Sequence, residues 1–336
     1  MRTVVVRQTG GPEVLRIEEI PRPAVGPRDV LIRVVACGVC TLDVVTRNGT
    51  YRNRVQLPLT PGHEIAGTVE EVGDEVRRFR PGERVATTQR YHICGSCRFC
   101  RGGAENLCER SRYTGYHADG GYAEYALARA DFAYAIPDQF DDARAAPLLC
   151  AGIIGYRALR LSRVIPGQRL LMYGFGSSAH VTMQVALARG VEVFVCTREP
   201  AHRALARTLG AAWTGALTDR PPAPAHGAIV FAPAGELVPI ALANLAPGGT
   251  LALAGIYMTA IPRLDYADLH RERTVTTVTA NTRDDGRELL AEAGRIGVRP
   301  TVTTFPLEQA NVALQALKAG AFAGSGVLLT AAGAGV

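Results

Sequence analysis

The chain has 336 residues, 47% of them hydrophobic and 20% charged, with a net charge of +6 and a pI near 9.0. That length predicts about two domains, and the apolar content is ample for packed cores. Nearly all the positive charge is arginine, with Lys318 the sole lysine. Without basic runs or interleaved aromatics it argues against a nucleic-acid partner, and one lysine argues against Schiff-base chemistry.

The N-terminus, MRTVVVRQTGGPEVL, has no long apolar core and no small-residue cleavage pattern, and reads as a first strand. The longest apolar stretches, around 146–156 and 250–262, are too short and too interrupted to span a bilayer. A soluble, cytoplasmic protein without membrane contact is expected.

Residues 1–150 read as a β-rich domain. Val30, Ile32 and Val34 alternate as in a half-buried strand, and glycines 62, 67, 73 and 82 punctuate short β-segments as turns. The Ala- and Leu-rich segment 139–160 reads as helical and crosses to a second domain. From 169 the pattern becomes strand, glycine turn, helix, strand: RLLMY (169–173), a helix from Ala179 to Arg189 stopping at Gly190, and EVFVC (192–196). AIVFA (228–232) and TLALAG (250–255) repeat it, predicting a parallel α/β sheet. Residues 287–336 return to mixed helix and strand and end in a frayed AAGAGV tail.

Two groups of residues carry chemistry. Cys94, Cys97, Cys100 and Cys108 are spaced C-x2-C-x2-C-x7-C in a Gly-rich loop. Four thiolates so close can enclose one tetrahedral zinc, and a reducing cytosol disfavours the competing disulfides. Separately, Cys40 in GVCTLD, His63 in PGHEIAG and Cys150 in PLLCAG offer two thiolates and an imidazole. Three such ligands leave a fourth position open, as catalytic zinc requires.

The turn Gly174-Phe175-Gly176-Ser177-Ser178-Ala179 follows a strand and opens a helix, the setting of a dinucleotide-binding fingerprint with alanine in place of the third glycine. At the end of the next strand, where a carboxylate would select NAD, stand Thr197 and Arg198, with Arg203 one helical turn on. A hydroxyl and guanidinium suit a 2′-phosphate, so NADP(H) is expected; Glu199 comes after the strand end.

These motifs, with DGGYAEY (119–125), occur in one order along nearly the full chain, and the chain resembles the zinc-dependent medium-chain alcohol dehydrogenases. PLLCAGIIGYRAL through YGFGSSAH looks most like the cinnamyl-alcohol-dehydrogenase-type branch. The resemblance implies an α/β architecture: a GroES-like catalytic domain (1–150), a Rossmann doubly wound parallel-sheet domain (151–286), and a return to the first domain (287–336). It implies one catalytic zinc on Cys40, His63 and Cys150, one structural zinc on the four-cysteine loop, and a homodimer or homotetramer. Asp43 would orient His63, and Glu64 would lie beside the metal as a transient ligand. Thr41 would face the cofactor pyrophosphate, while Phe231, Ala254, Gly255 and Ile256 would line the nicotinamide. Cys37 and Cys196 match no ligand position.

The family's proton relay usually starts at Ser or Thr two residues after the first zinc cysteine, with histidine five residues after it. Here those positions are Leu42 and Val45. The reading adopted is an NADP(H)-linked alcohol dehydrogenase or aldehyde reductase for small, hydrophobic or aromatic substrates. The alternative is an NADPH-dependent conjugate reductase, and a third is a non-catalytic sensor holding structural zinc only. Tyr116 and His117 are candidates to replace the relay.

Overall fold

Val30, Ile32 and Val34 lie fully buried in β1 (Asp29–Gly38), a strand at the centre of a seven-stranded sheet. The computed structural model describes residues 1–50 and 55–333; part of the 331–336 tail falls outside them. Alternation predicts one solvated face, but Leu31 is buried as well. On the same face Arg33 is exposed and Val35 half-buried, so that side is covered only at its ends. One edge of β1 pairs antiparallel with β2 (Glu64–Val72). The other is shared by strand 125–129 and strand 325–329, the latter delivered by the C-terminal part of the chain. Strands 84–87 and 133–135 extend the sheet beyond β2.

Between β1 and β2 the described residues form one helix, α1 (Thr41–Asn48). Cys40 is its N-cap, and the Asp43 carboxylate returns to the Cys40 N–H at 2.9 Å. This reciprocal cap satisfies a donor that the first helical turn leaves orphaned. Gly67 is not a turn residue. It sits inside β2, where a Cβ would collide with the Arg33 carbonyl of β1. Close backbone approach, rather than a turn, requires the glycine there.

The segment 139–160 does not form one helix. A short turn at Asp142–Ala145 runs into a 3-10 turn at Ala146–Leu149 containing Pro147. Cys150 then leaves helical geometry, with φ −129° and ψ −67°, before α2 (Ala151–Leu161) begins. Proline tightens the turn, and the break re-aims the backbone at the cysteine.

The chain divides into two compact units: Met1–Cys150 with Asn281–Gly294 and Pro300–Val336, and Ala151–Ala280 with Arg295–Arg299. The return to the first unit thus begins at Asn281, six residues before residue 287. The second unit is a parallel six-stranded Rossmann-like sheet of β3 (Arg169–Tyr173), β4 (Glu192–Cys196), β5 (Trp213–Gly215), β6 (Ala225–Val230), β7 (Leu245–Leu253) and β8 (Thr274–Thr277). Its spatial order is β5-β4-β3-β6-β7-β8. The order reverses between β3 and β6, and the carboxyl ends of strands at such a switch point are where open α/β sheets bind ligands. No described helix is long and apolar enough to cross a membrane.

Candidate active site

The antiparallel register sets Gly38 of β1 opposite Glu64 of β2, so the residues just beyond them, Cys40 and His63, emerge at the same end of the sheet. The broken helical segment brings Cys150 to the same place. One ligand atom from each of Cys40, His63, Glu64 and Cys150 lies within 4.8 Å of all the others. His63, Glu64 and Cys150 are buried and Cys40 is half-buried.

His63 is held by its inner nitrogen: Nδ1 lies 3.2 Å from Asp43 Oδ1. Its Nε2 is buried and has no hydrogen-bond partner among the described residues. A buried, unpartnered imidazole nitrogen is costly unless something else satisfies it. Facing two thiols and a carboxyl, it fits a borderline-soft cation such as zinc. The thiols share charge unequally. A hydrogen bond from Cys150 draws the Cys40 thiol down to about 5, and the same contact, with burial, pushes the Cys150 thiol up. Burial and then the Cys40 thiolate also push the Glu64 carboxyl well up. Burial opposes a charge on His63, but Asp43 and the Cys40 thiolate raise its imidazole well above the usual value, so the anions of this cluster attract positive charge.

Asp43 is 1% exposed and fully engaged. Besides His63 and the Cys40 N–H, its Oδ2 accepts the Tyr122 hydroxyl at 2.8 Å. Burial raises the Tyr122 phenol, so it stays protonated and donates. The sequence marks Tyr122 only as part of DGGYAEY; its contact with Asp43 spans 79 positions and leaves no local signal.

The four-cysteine loop is similarly gathered. The Sγ atoms of Cys94, Cys97, Cys100 and Cys108 are all within 4.8 Å of one another. Cys94 is 3.9 Å from Cys100 and 3.6 Å from Cys108, and Cys97 is 3.5 Å from Cys100. Sulfurs tetrahedral about zinc at ~2.3 Å stand ~3.8 Å apart, so the spacing fits that ion. Backbone N–H groups of Cys94, Cys97 and Cys100 donate to loop sulfurs at 3.4–3.5 Å, as thiolates require. Backbone donors bring Cys94 down to about 5, whereas burial and the neighbouring thiols send Cys100 up to about 12.

Arg90 lies under this loop, fully buried. It donates to Ser111 Oγ at 2.6 Å and to the carbonyls of Asn106 and Asn281. Glu105, between the third and fourth cysteines, forms a bidentate pair with Arg283, with distances of 2.7 and 3.0 Å.

In the second unit, Gly174 follows β3 with φ +87°, a conformation that L side chains rarely adopt. Gly176 caps helix α3 (Ser177–Ala188), and a Cβ there would meet nothing within 4 Å. Ser177 and Ser178 are half-buried in the first turn, and Ala179 is buried. An open backbone at a helix N-terminus suits a pyrophosphate. Beyond β4, Thr197 is buried and Arg198 is exposed. Arg198 Nε contacts Glu199 Oε1 at 2.7 Å. Arg203 Nη1 donates to the carbonyls of Thr197 and Arg198, bracing the turn. Half-buried Phe231, Ala254, Gly255 and Ile256 sit just past β6 and β7, at the same carboxyl ends. Thr41 is exposed at the start of α1.

Leu42 and Val45 are half-buried on α1. Tyr116 is buried, and the His117 ring packs edge-on against it at 4.6 Å, with Nδ1 accepting the Tyr113 N–H. Their loop rests against Gly62, where a Cβ on Gly115 or Gly120 would collide with the Gly62 backbone.

Residues 26–138 match the alcohol dehydrogenase GroES-like domain. The chain is 49% identical to AdhA of Mycobacterium tuberculosis, described as a probable alcohol dehydrogenase, over 92% of this chain and 90% of that one. Among solved structures, an NAD-dependent alcohol dehydrogenase superposes with a TM-score of 0.91 at 27% identity, covering 98% of this chain and 99% of that one. The CAD enzyme of Helicobacter pylori, complexed with NADP(H), superposes at 0.87 and 25% identity, with 98% of each chain covered. The chain belongs to the zinc-containing medium-chain alcohol dehydrogenase family and is an oxidoreductase of that class. These matches spread over the family and do not single out its cinnamyl-alcohol-dehydrogenase-type branch.

Proposed function

We propose that this chain is a zinc-dependent, NADP(H)-linked alcohol dehydrogenase acting on small hydrophobic or aromatic alcohols and aldehydes. The observation that carries the reading is the unpartnered His63 Nε2, buried among the donor atoms of Cys40, Cys150 and Glu64. Zinc held there supplies a Lewis acid for the substrate oxygen, and NADP(H) supplies or accepts the hydride. Cys40, His63 and Cys150 hold the metal, with Glu64 beside it. Asp43 fixes the ring of His63 with Nε2 outward. Cys94, Cys97, Cys100 and Cys108 hold the structural zinc.

For the cofactor, the Gly174–Ala179 turn and the N-terminus of α3 receive the pyrophosphate. Thr197 and Arg198 receive the 2′-phosphate, with Arg203 keeping that turn in shape. The Arg198–Glu199 ion pair lies at the surface and is worth little, so the Arg198 guanidinium would be available to a phosphate. Phe231, Ala254, Gly255 and Ile256 wall the nicotinamide. Leu42 and Val45 carry no exchangeable proton, so neither side chain can pass on the alcohol proton.

The experiment is product analysis with zinc-loaded protein, NADPH and cinnamaldehyde. Cinnamyl alcohol is the expected product, with two zinc ions per chain. The saturated aldehyde, or one zinc and no turnover, would overturn the reading.

A further inference from the structure

We infer that Tyr122 is a positioning residue for the metal held by Cys40, His63 and Cys150, acting through Asp43; the inference rests on the metal reading above. Tyr122 is 0% exposed, and two independent contacts place it. Its hydroxyl donates to Asp43 Oδ2 at 2.8 Å, while Asp43 Oδ1 meets His63 Nδ1 at 3.2 Å. Its ring lies over Gly62, the residue before His63, where a Cβ would stand 2.8 Å from the ring's Cε1. Gly62 has φ +93°, and the Tyr122 N–H donates to the Pro61 carbonyl at 3.0 Å. Tyr122 therefore holds both the carboxylate that orients the imidazole and the backbone that carries it.

A tyrosine serving only as core filling needs no such arrangement, since phenylalanine packs as well. Among the described residues, Asp43 Oδ2 has two donors, Tyr122 and the Cys40 N–H. Loss of the hydroxyl leaves Oδ2 with the Cys40 N–H as its one remaining donor, so the carboxylate holds the imidazole less firmly. Partners of metal-bound histidines are worth 10–100-fold in metal affinity, and a group one bond further out falls at the lower end, about tenfold.

The test measures zinc loss from each site of the zinc-loaded full chain to excess chelator. Cys40→Ser, which lacks the first site, assigns the phases. Tyr122→Phe should speed zinc loss from the Cys40 site about tenfold and leave the four-cysteine site unchanged. When Asp43→Asn is already present, the same substitution should have no further effect, because the path through Asp43 is already broken. Equal rates for tyrosine and phenylalanine, or an effect undiminished by Asp43→Asn, would overturn the proposal alone. A wild-type chain with one zinc, unchanged by Cys40→Ser, would overturn the metal reading and the proposal with it. Fluorotyrosine at position 122 is the second variant. It keeps the ring and strengthens the donor, so zinc loss should slow; an unchanged rate counts against the proposal.

Discussion

Gly38 and Glu64 face each other across β1 and β2, and a Cβ on Gly38 would occupy the space of the Glu64 carboxylate. The absence of a side chain at position 38 is what lets a buried carboxyl stand beside Cys40, His63 and Cys150. Gly38→Ala should displace Glu64 toward those donors. The expected result is sub-stoichiometric zinc at the Cys40 site, kcat reduced about tenfold, and a stability loss of about 1–3 kcal/mol from overpacking. Zinc content per chain and a urea melt check it; a fully loaded, wild-type-like variant would show that Glu64 has another place to go.

Arg198 lies just past β4, where the proposed 2′-phosphate contact falls; it is exposed itself and pairs with half-buried Glu199. Replacing it by alanine removes a charge-assisted contact worth roughly 1.5–3 kcal/mol to a phosphate and little to a hydroxyl. KM for NADPH should rise about tenfold or more, while KM for NADH moves less than about twofold. Equal changes for the two cofactors would remove Arg198 from the 2′-phosphate site.

The legible parts of the chain are those whose geometry is local. The C-x2-C-x2-C-x7-C spacing confines four sulfurs to one loop, and strand-Gly174-helix is a short-range pattern. Cys40, His63 and Cys150 could be nominated by motif, although only the sheet register and the break at Cys150 show why they meet. The break was hidden because Ala, Leu and Ile dominate 145–161, and one proline was outweighed by helix-forming neighbours. Gly67 reads as a turn because glycine serves turns and close backbone approach equally well. Tyr122–Asp43 and Glu105–Arg283 join positions 79 and 178 residues apart, and no periodicity encodes such pairs.

Leu42 occupies the position from which a hydroxyl would normally start the proton path. General acid–base help is typically worth 10²–10⁴-fold. Leu42→Thr should raise kcat for aldehyde reduction about tenfold or more, and introduce a solvent isotope effect if proton delivery then limits turnover. An unchanged kcat would mean that protons already reach the site by another route, with Tyr116 and His117 the first residues to substitute.

Glu105 and Arg283 tie the four-cysteine loop to the start of helix α4 (Arg283–Ile296), whose first residues follow the chain's return at Asn281. Glu105 is 7% exposed, and although burial opposes it, the bonds from Arg283 bring its carboxyl below the usual value. Arg283→Ala would leave that carboxylate buried and unpaired, at a cost of roughly 2 kcal/mol near neutral pH. The sign with pH follows from the lowered value. A carboxyl that is more acidic folded than unfolded contributes stability above its unfolded pKa of ~4.3 and loses it as pH falls through the folded value. The gap between wild type and Arg283→Ala should therefore be constant from pH 7 to about pH 5 and shrink below that. Urea midpoints across this range check it. A gap that stayed constant into acid would mean that Arg283 stabilises the loop by packing over Phe132, 5.4 Å away, rather than through Glu105.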